Sequence, residues 1–241
     1  MTTSALTNEN EKFPSVSFAR VTGLFYLLIA FAGAFSIGYM PSVIFAADDM
    51  TETIQNMVDN KLLFHMGIAG DIAVILMEVI LTSMLYKMFK SVNQTLSLIA
   101  AFSRMGMAVV MGINLLNYVL PSVLVNSPEY LQVFQASELE NIVSIFLDMH
   151  QKAVYVWQLF FGLHLVILGY LIYKSGVFPK IFGTLNMVGS FGYTLQSFKE
   201  LLFPQFSSLD IGITILLVIV VIGELGFTFY LLIKGMKKAE A

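Results

Sequence analysis

Several ionisable residues fall deep inside long apolar stretches of this 241-residue sequence, among them Asp71, Glu78, Arg104, His164 and Glu224. A charge at the centre of a bilayer costs at least about 2.5–3.5 kcal/mol, so each needs a partner or a function. Depth follows from counting back from the polar end of each stretch. Glu78 lies about nine residues from Lys87, Arg104 about ten from Gln94, His164 about nine from Tyr173 and Glu224 about ten from Lys234, each residue adding about 1.5 Å of helix. All four therefore sit roughly 13–15 Å deep, near the middle of a hydrocarbon layer about 30 Å thick. The agreement predicts one buried polar cluster in which Arg104 pairs with Glu78, Glu224 or both. Asp71 precedes Glu78 by about two helical turns, so it shares nearly the same face about 10 Å further out. Asn114 and Asn117 extend a polar line in the same direction. Carboxylates placed this way can carry protons, and His164 is a side chain that changes charge near neutral pH. The same groups also suit an ion pair that locks helices together, and both readings stand at this level.

A second constellation is Asp148-Met149-His150-Gln151-Lys152, with His65 at a similar depth on another stretch. Zinc takes three protein ligands plus water, which His65, His150 and one carboxylate would supply. Residues two apart on a helix point about 200° apart, however, so Asp148 and His150 do not readily share one ion. The reading adopted is an outer-face polar cluster of His65, Asp148, His150 and Lys152 facing water, with no metal and no cofactor assigned. His150, Trp157 and His164 recur every seven residues on one face, but the two histidines are about 20 Å apart along the axis. Tyr26, Tyr39, Tyr118, Tyr170, Tyr173 and Trp157 fall mostly near the ends of stretches, where aromatic anchoring at the membrane interface accounts for them.

The elements that must position these residues are helices in a membrane. Apolar residues make up 57% of the sequence and charged residues 12%, against about 45–50% and about 25% in soluble domains. Six stretches are long enough to cross: Val21–Met40, Leu62–Tyr86, Leu96–Leu120, Ala153–Tyr173, Phe178–Phe203 and Ile211–Ile233. None alternates with the period of a barrel strand. The first exceeds the usual core of a signal peptide, about 7–15 residues, and reads as a retained span.

Lys12, Arg20, Lys87, Lys90, Lys174, Lys180, Lys234, Lys237 and Lys238 fall in alternate connections, and the remaining ones are acidic apart from Lys61 and Lys199. By the positive-inside rule both termini are cytoplasmic, which agrees with an even number of spans. Two outer segments read as helices. Ile54, Met57 and Val58 share a face within Thr51–Asn60, as in a helix lying on the membrane surface. Ser137 and Glu140 form a capping box that opens an amphipathic helix running into the fourth span, over about 36 residues or roughly 54 Å. Such a helix must project outward or bend along the interface. Gly176 and Pro179 mark a tight turn between spans four and five.

The expected fold is an all-α integral membrane protein: a bundle of about six transmembrane helices with cytoplasmic termini and amphipathic outer-face segments. Residues 1–20 and 235–241 are cytoplasmic tails, and 21–234 form a single domain. The chain has no Cys, which excludes disulfides and thiolate metal sites. Its Lys and Arg are scattered, so nucleic acid is not an expected partner. The bilayer is, and a small-molecule or ion ligand fits the midplane cluster. No His-Glu-x-x-His, Gly-x-Ser-x-Gly, phosphate-binding loop or dinucleotide fingerprint occurs.

Several segments together resemble a bacterial multi-pass membrane family, domain of unknown function 4386. They are Arg20-Val-Thr-Gly-Leu-Phe-Tyr26, Gly67-Ile-Ala-Gly-Asp71 with Glu78, Phe102-Ser-Arg104, Leu147-Asp-Met-His150, Gly162-Leu-His164 and Gly169 through Pro179. The resemblance runs from Arg20 to about Pro204 and leaves Glu224 outside. It implies a bacterial inner-membrane protein and carries no activity. Members tend to have Arg where this chain has His65, which argues against an outer zinc site. Three functional classes are compatible with these residues: small-solute or proton-linked transport or sensing through the midplane cluster, an intramembrane metal-dependent enzyme acting on a lipid-like substrate, and a non-catalytic membrane partner whose charges only lock its helices.

Overall fold

The computed structural model describes residues 13–237, and all regular structure among them is helical. Helix α1 (Val16–Gly33) starts on Ser15, whose hydroxyl accepts from the Phe18 N–H. It continues without a break through a π-turn (Ala34–Tyr39) into the short α2 (Met40–Ile44). Asp49 caps α3 (Met50–Asp59), and α4 (Lys61–Phe89) comes directly after it. Asn93 caps α5 (Gln94–Asn114) by accepting from Leu96 N–H at 2.9 Å. After an interruption at Leu115 the same rod resumes as α6 (Leu116–Asn126), which contains Pro121, and leads to the short α7 (Pro128–Val133). Helix α8 (Ala136–Ser175) is 40 residues long and unbroken, about 60 Å at the helical rise. Helices α9 (Lys180–Leu202) and α10 (Asp210–Ile233) complete the bundle.

Five stretches are long and apolar enough to cross a membrane: Val16–Ile44, Lys61–Phe89, Gln94–Asn126, Ala136–Ser175 and Ser207–Ile233. Helix α9, the remaining expected span, has 23 residues and reaches about 34 Å, but it falls short in apolar content. The face it turns to its neighbours accounts for much of that composition. It lies between α8 and α10, and its buried residues are small or polar: Gly183, Asn186, Gly189, Ser190, Gly192 and Ser197. A Cβ on Gly169 of α8 would stand 2.6 Å from the Gly183 carbonyl oxygen, and one on Gly192 would stand 2.9 Å from the Leu217 nitrogen of α10. Backbone therefore touches backbone on both sides. In a bilayer, where lipid is as apolar as Leu, such close packing is a main source of helix association. The contacts sit at spacings of six and three residues, outside any Gly-x-x-x-Gly pattern.

The basic helix ends gather at one end of the bundle. Arg20 Nη2 donates to the Ile233 carbonyl, Lys87 lies 4.8 Å from the Phe18 ring centroid, and Lys237 N–H donates to Val177 O. The turn into α9 forms there, with Gly176 left-handed at φ 74° and Pro179 at the N-cap, one position before the first turn. At the opposite, acidic end, Lys199 meets Glu200 at 2.8 Å and Asp210 at 2.6 Å. One of the two lysines that break the charge pattern is thus neutralised on the spot.

Two expectations for the acidic end change in detail. The capping box of α8 is formed by Gln135 and Glu138, not Ser137 and Glu140; Glu140 instead accepts from Thr51 Oγ1 of α3 at 2.8 Å. Helix α3 does not rest its Ile54–Met57–Val58 face on a membrane surface. Met57 and Thr53 are buried against α2, α4, α6 and α8 while Val58 is 43% exposed, because this face covers a second apolar core containing Met40, Phe64, Tyr118, Leu139 and Val143. The first third of α8 belongs to that core and continues its span without a break.

Candidate functional site: a charged centre in the middle of the bundle

Arg104 of α5 is the largest fully buried side chain, and its surroundings define the site. Its Nε and Nη2 donate to the two oxygens of Glu78 on α4, at 2.5 and 2.9 Å, a bidentate ion pair. The third bond, at 3.1 Å, joins Nη1 to His164 Nε2 on α8, and His164 Nδ1 lies 2.8 Å from the Ala100 carbonyl oxygen. Guanidinium cannot accept and a carbonyl cannot donate. The ring is therefore the neutral tautomer with its proton on Nδ1, and its lone pair serves as an acceptor for Arg104. The guanidinium carbon also lies 5.2 Å from the Tyr26 ring centroid and 5.6 Å from that of Phe161, distances at which aromatic faces attract a cation. Four helices converge on one side chain.

Beside this pair lies a cavity of about 200 Å³ lined by Tyr26, Glu78, Arg104, Phe161, Glu224 and Thr228 among others. Glu224 reaches it from α10 but makes no ion pair with Arg104, whose charge is engaged by Glu78. One cation thus faces two carboxylates. The guanidinium has five N–H groups, and three are committed to Glu78 and His164. The rim residues Ala30, Val221 and Leu225 are exposed on the apolar flank between α1 and α10. The mouth opens sideways through that flank.

Of the five residues read as one cluster, the structure brings Glu78, Arg104 and His164 into contact and sets Glu224 across the cavity. Asp71 is elsewhere. It lines a separate cavity of about 30 Å³ toward the acidic end, together with Ser36, Asn114, Tyr118, His150 and Trp157. The outer-face cluster also separates. His65 Nε2 lies 3.0 Å from Ser122 Oγ on α6, whereas His150 turns inward and stacks on Tyr118, with centroids 3.7 Å apart and planes at 13°. Asp148 and Lys152 flank an apolar groove of about 600 Å³ between α5, α6 and α8, and Lys152 Nζ reaches the Glu200 carbonyl oxygen at 3.3 Å. A helix carries consecutive polar residues around its circumference, which is why neighbours in sequence part company here. Among the described residues no three His, Asp or Glu side chains converge as a metal-ligand group.

Tyr26 and Tyr118 are corrections of another kind. Interfacial anchoring was expected of both, yet they are 7% and 4% exposed and pack against Arg104 and His150. Asn186 of α9 was missed: it is buried against Gly223 of α10, and neither its amide nitrogen nor its oxygen has a partner. A polar residue in a long apolar run was the available signal for Asn186. Nothing in the spacing distinguished Tyr26 or Tyr118.

Residues 21–235 match the family described as Domain of unknown function (DUF4386). Over 82 residues the chain is 40% identical to an uncharacterized protein of Archaeoglobus fulgidus, an alignment covering 34% of this chain and 46% of that protein. The chain therefore spans less than half the length of that relative. No solved structure matches.

Proposed function

The chain belongs to the domain of unknown function 4386 family, whose name assigns no activity, and we propose from the site itself that it is a multi-pass transport or sensing protein with a proton-binding centre at mid-membrane. The observation that carries this reading is the surplus carboxylate: Arg104 pairs with Glu78, while Glu224 faces the same cavity without an ion-pair partner. A carboxylate in such surroundings is neutralised by a proton or by a bound cation. Arg104 lines the same cavity, so a small solute with an acceptor group would meet its charge there. Proton occupancy of Glu224 would then be linked to that solute through Arg104. A helix lock needs only the ion pair; the adjoining cavity favours the ligand-binding reading. Six crossings result if α9 spans with its neighbours, and the positive-inside rule places the basic end, with both termini, in the cytoplasm. The family resemblance read from the sequence supports placing the protein in a bacterial inner membrane.

The test is proton movement. Full-length protein in liposomes loaded with a pH-sensitive dye should pass protons under an imposed membrane potential, and Glu224→Gln should abolish the signal. Infrared difference spectra between acidic and alkaline samples should contain a carboxylic C=O band that Glu224→Gln removes. A spectrum unchanged by that substitution, with equal flux in both proteins, would overturn the reading.

A further inference from the structure

The small cavity toward the acidic end is built from unusual parts. Two of the rods that frame it are irregular at the same level. One is the π-turn Ala34–Tyr39, where the Met40 N–H reaches back to Phe35 O, and the other is the interruption at Leu115 between α5 and α6. Irregular backbone at membrane depth is tolerated where it is buried in protein or lines a cavity, and π-turns concentrate at functional sites. Helix α4 approaches closely because Gly70 has no side chain: a Cβ there would stand 3.1 Å from Ser36 Cβ and 3.7 Å from Ala32 O. That approach sets Asp71 opposite the π-turn.

Three buried polar atoms line this cavity without a hydrogen-bond partner: Ser36 Oγ, Asp71 Oδ1 and His150 Nδ1. Ser36 is fully buried and Asp71 is 7% exposed. The Ser36 hydroxyl lies beside the Asp71 carboxylate without reaching hydrogen-bonding geometry. Asp71 has no cationic partner among the described residues. Native proteins rarely leave even one buried polar atom unpaired, and each costs about 1–3 kcal/mol. Three around one space point to an occupant.

The cavity limits what that occupant is. About 30 Å³ holds a bare ion and little more, since one water needs about 10–15 Å³ on this measure. One unpaired carboxylate calls for a single positive charge. Divalent cations prefer several carboxylates or a shell of waters, and no three-ligand His, Asp or Glu set is present among the described residues. We propose that Asp71 and Ser36 bind a sodium-sized monovalent cation between α4 and the π-turn of the first span. His150, held flat against Tyr118, closes the outer side, where its Nδ1 accepts from a water completing the shell. Asn114 fixes His150 from behind by donating to its carbonyl oxygen at 3.1 Å, and Asn117 in turn holds Asn114 at 2.9 Å. This site is separate from the midplane cavity and does not depend on its function.

The experiment uses full-length protein in detergent. Thermal unfolding is followed while sodium chloride replaces choline chloride at constant ionic strength and pH, with sodium-23 line broadening as a direct readout. A saturable rise in the unfolding midpoint with sodium is expected, absent in Asp71→Asn. Ser36→Ala should raise the half-saturating sodium concentration about tenfold, the equivalent of one lost ligand worth about 1.4 kcal/mol. Should Asp71→Asn fail to fold, line broadening with wild type and Ser36→Ala carries the test alone. Identical behaviour in sodium and choline with no line broadening overturns the proposal; a midpoint indifferent to sodium that rises when the series is repeated at lower pH overturns it too, and would make the occupant a proton.

Discussion

At the residue scale, Arg104 and Glu78 are interdependent. Removing one member of a buried pair leaves the other charged and unpaired, at a cost of about 3–5 kcal/mol, whereas replacing both with apolar residues is often close to neutral. Arg104→Met alone should therefore destabilise the protein by about 3–5 kcal/mol, and Arg104→Met with Glu78→Met should recover most of it. Unfolding in detergent across the four proteins of this cycle measures the coupling, and simple additivity would contradict the bidentate geometry. Arg104→Lys is expected to be poorly tolerated, because an ammonium cannot span both Glu78 oxygens while also reaching His164. The His164 ring offers a spectroscopic check. Its hydrogen bonds require a protonated Nδ1 and a bare Nε2, so nitrogen-15 shifts should show that tautomer in wild type. A ring protonated on Nε2 would contradict the arrangement.

At the scale of elements, α9 depends on glycine for its place between α8 and α10. The atoms a new Cβ would meet at Gly169 and Gly183 are largely backbone, which has no rotamer to yield. Gly183→Ala should cost about 1–3 kcal/mol, the usual penalty of overpacking. Gly112→Ala is the matched control: nothing lies within 4 Å of a Cβ there, and Ala is favoured over Gly in a helix by about 1 kcal/mol. Unfolding midpoints should move in opposite directions, and equal effects would mean that α9 does not pack backbone to backbone. Helix α9 also shows where reading by composition strains. Hydropathy tests whether a whole helix suits lipid, but α9 has two faces: Ile181, Val188, Phe191, Leu195 and Phe198 are exposed, while the face against α8 and α10 is built of small and polar residues that lower the average.

At the scale of the whole molecule, the arrangement of ends predicts a pattern of accessibility. The chain has no native Cys, so single cysteines report without background. Ser91→Cys and Ser175→Cys should label from one side of the membrane, and Gln55→Cys and Gln205→Cys from the other, using a thiol reagent that does not permeate. Labelling of Ser175→Cys and Gln205→Cys from the same side would show that α9 does not cross.

The sequence by itself determined that the chain is helical with stretches apolar enough to cross a membrane, and at what level along its helix each charged residue lies. These are properties of position along a helix, and a regular rise of about 1.5 Å per residue converts one into the other. Depth was enough to bring Glu78, Arg104 and His164 to one level, where the structure joins them. The tertiary structure alone decided direction around each axis. That angle is set by which neighbour a helix packs against, and it turned His150 inward onto Tyr118 and set Glu224 across the cavity from Arg104. It also depends on irregularities with no apolar signature. The π-turn in the first span carries Ser36, and the interruption at Leu115 lies between Asn114 and Asn117, beside Asp71 and His150.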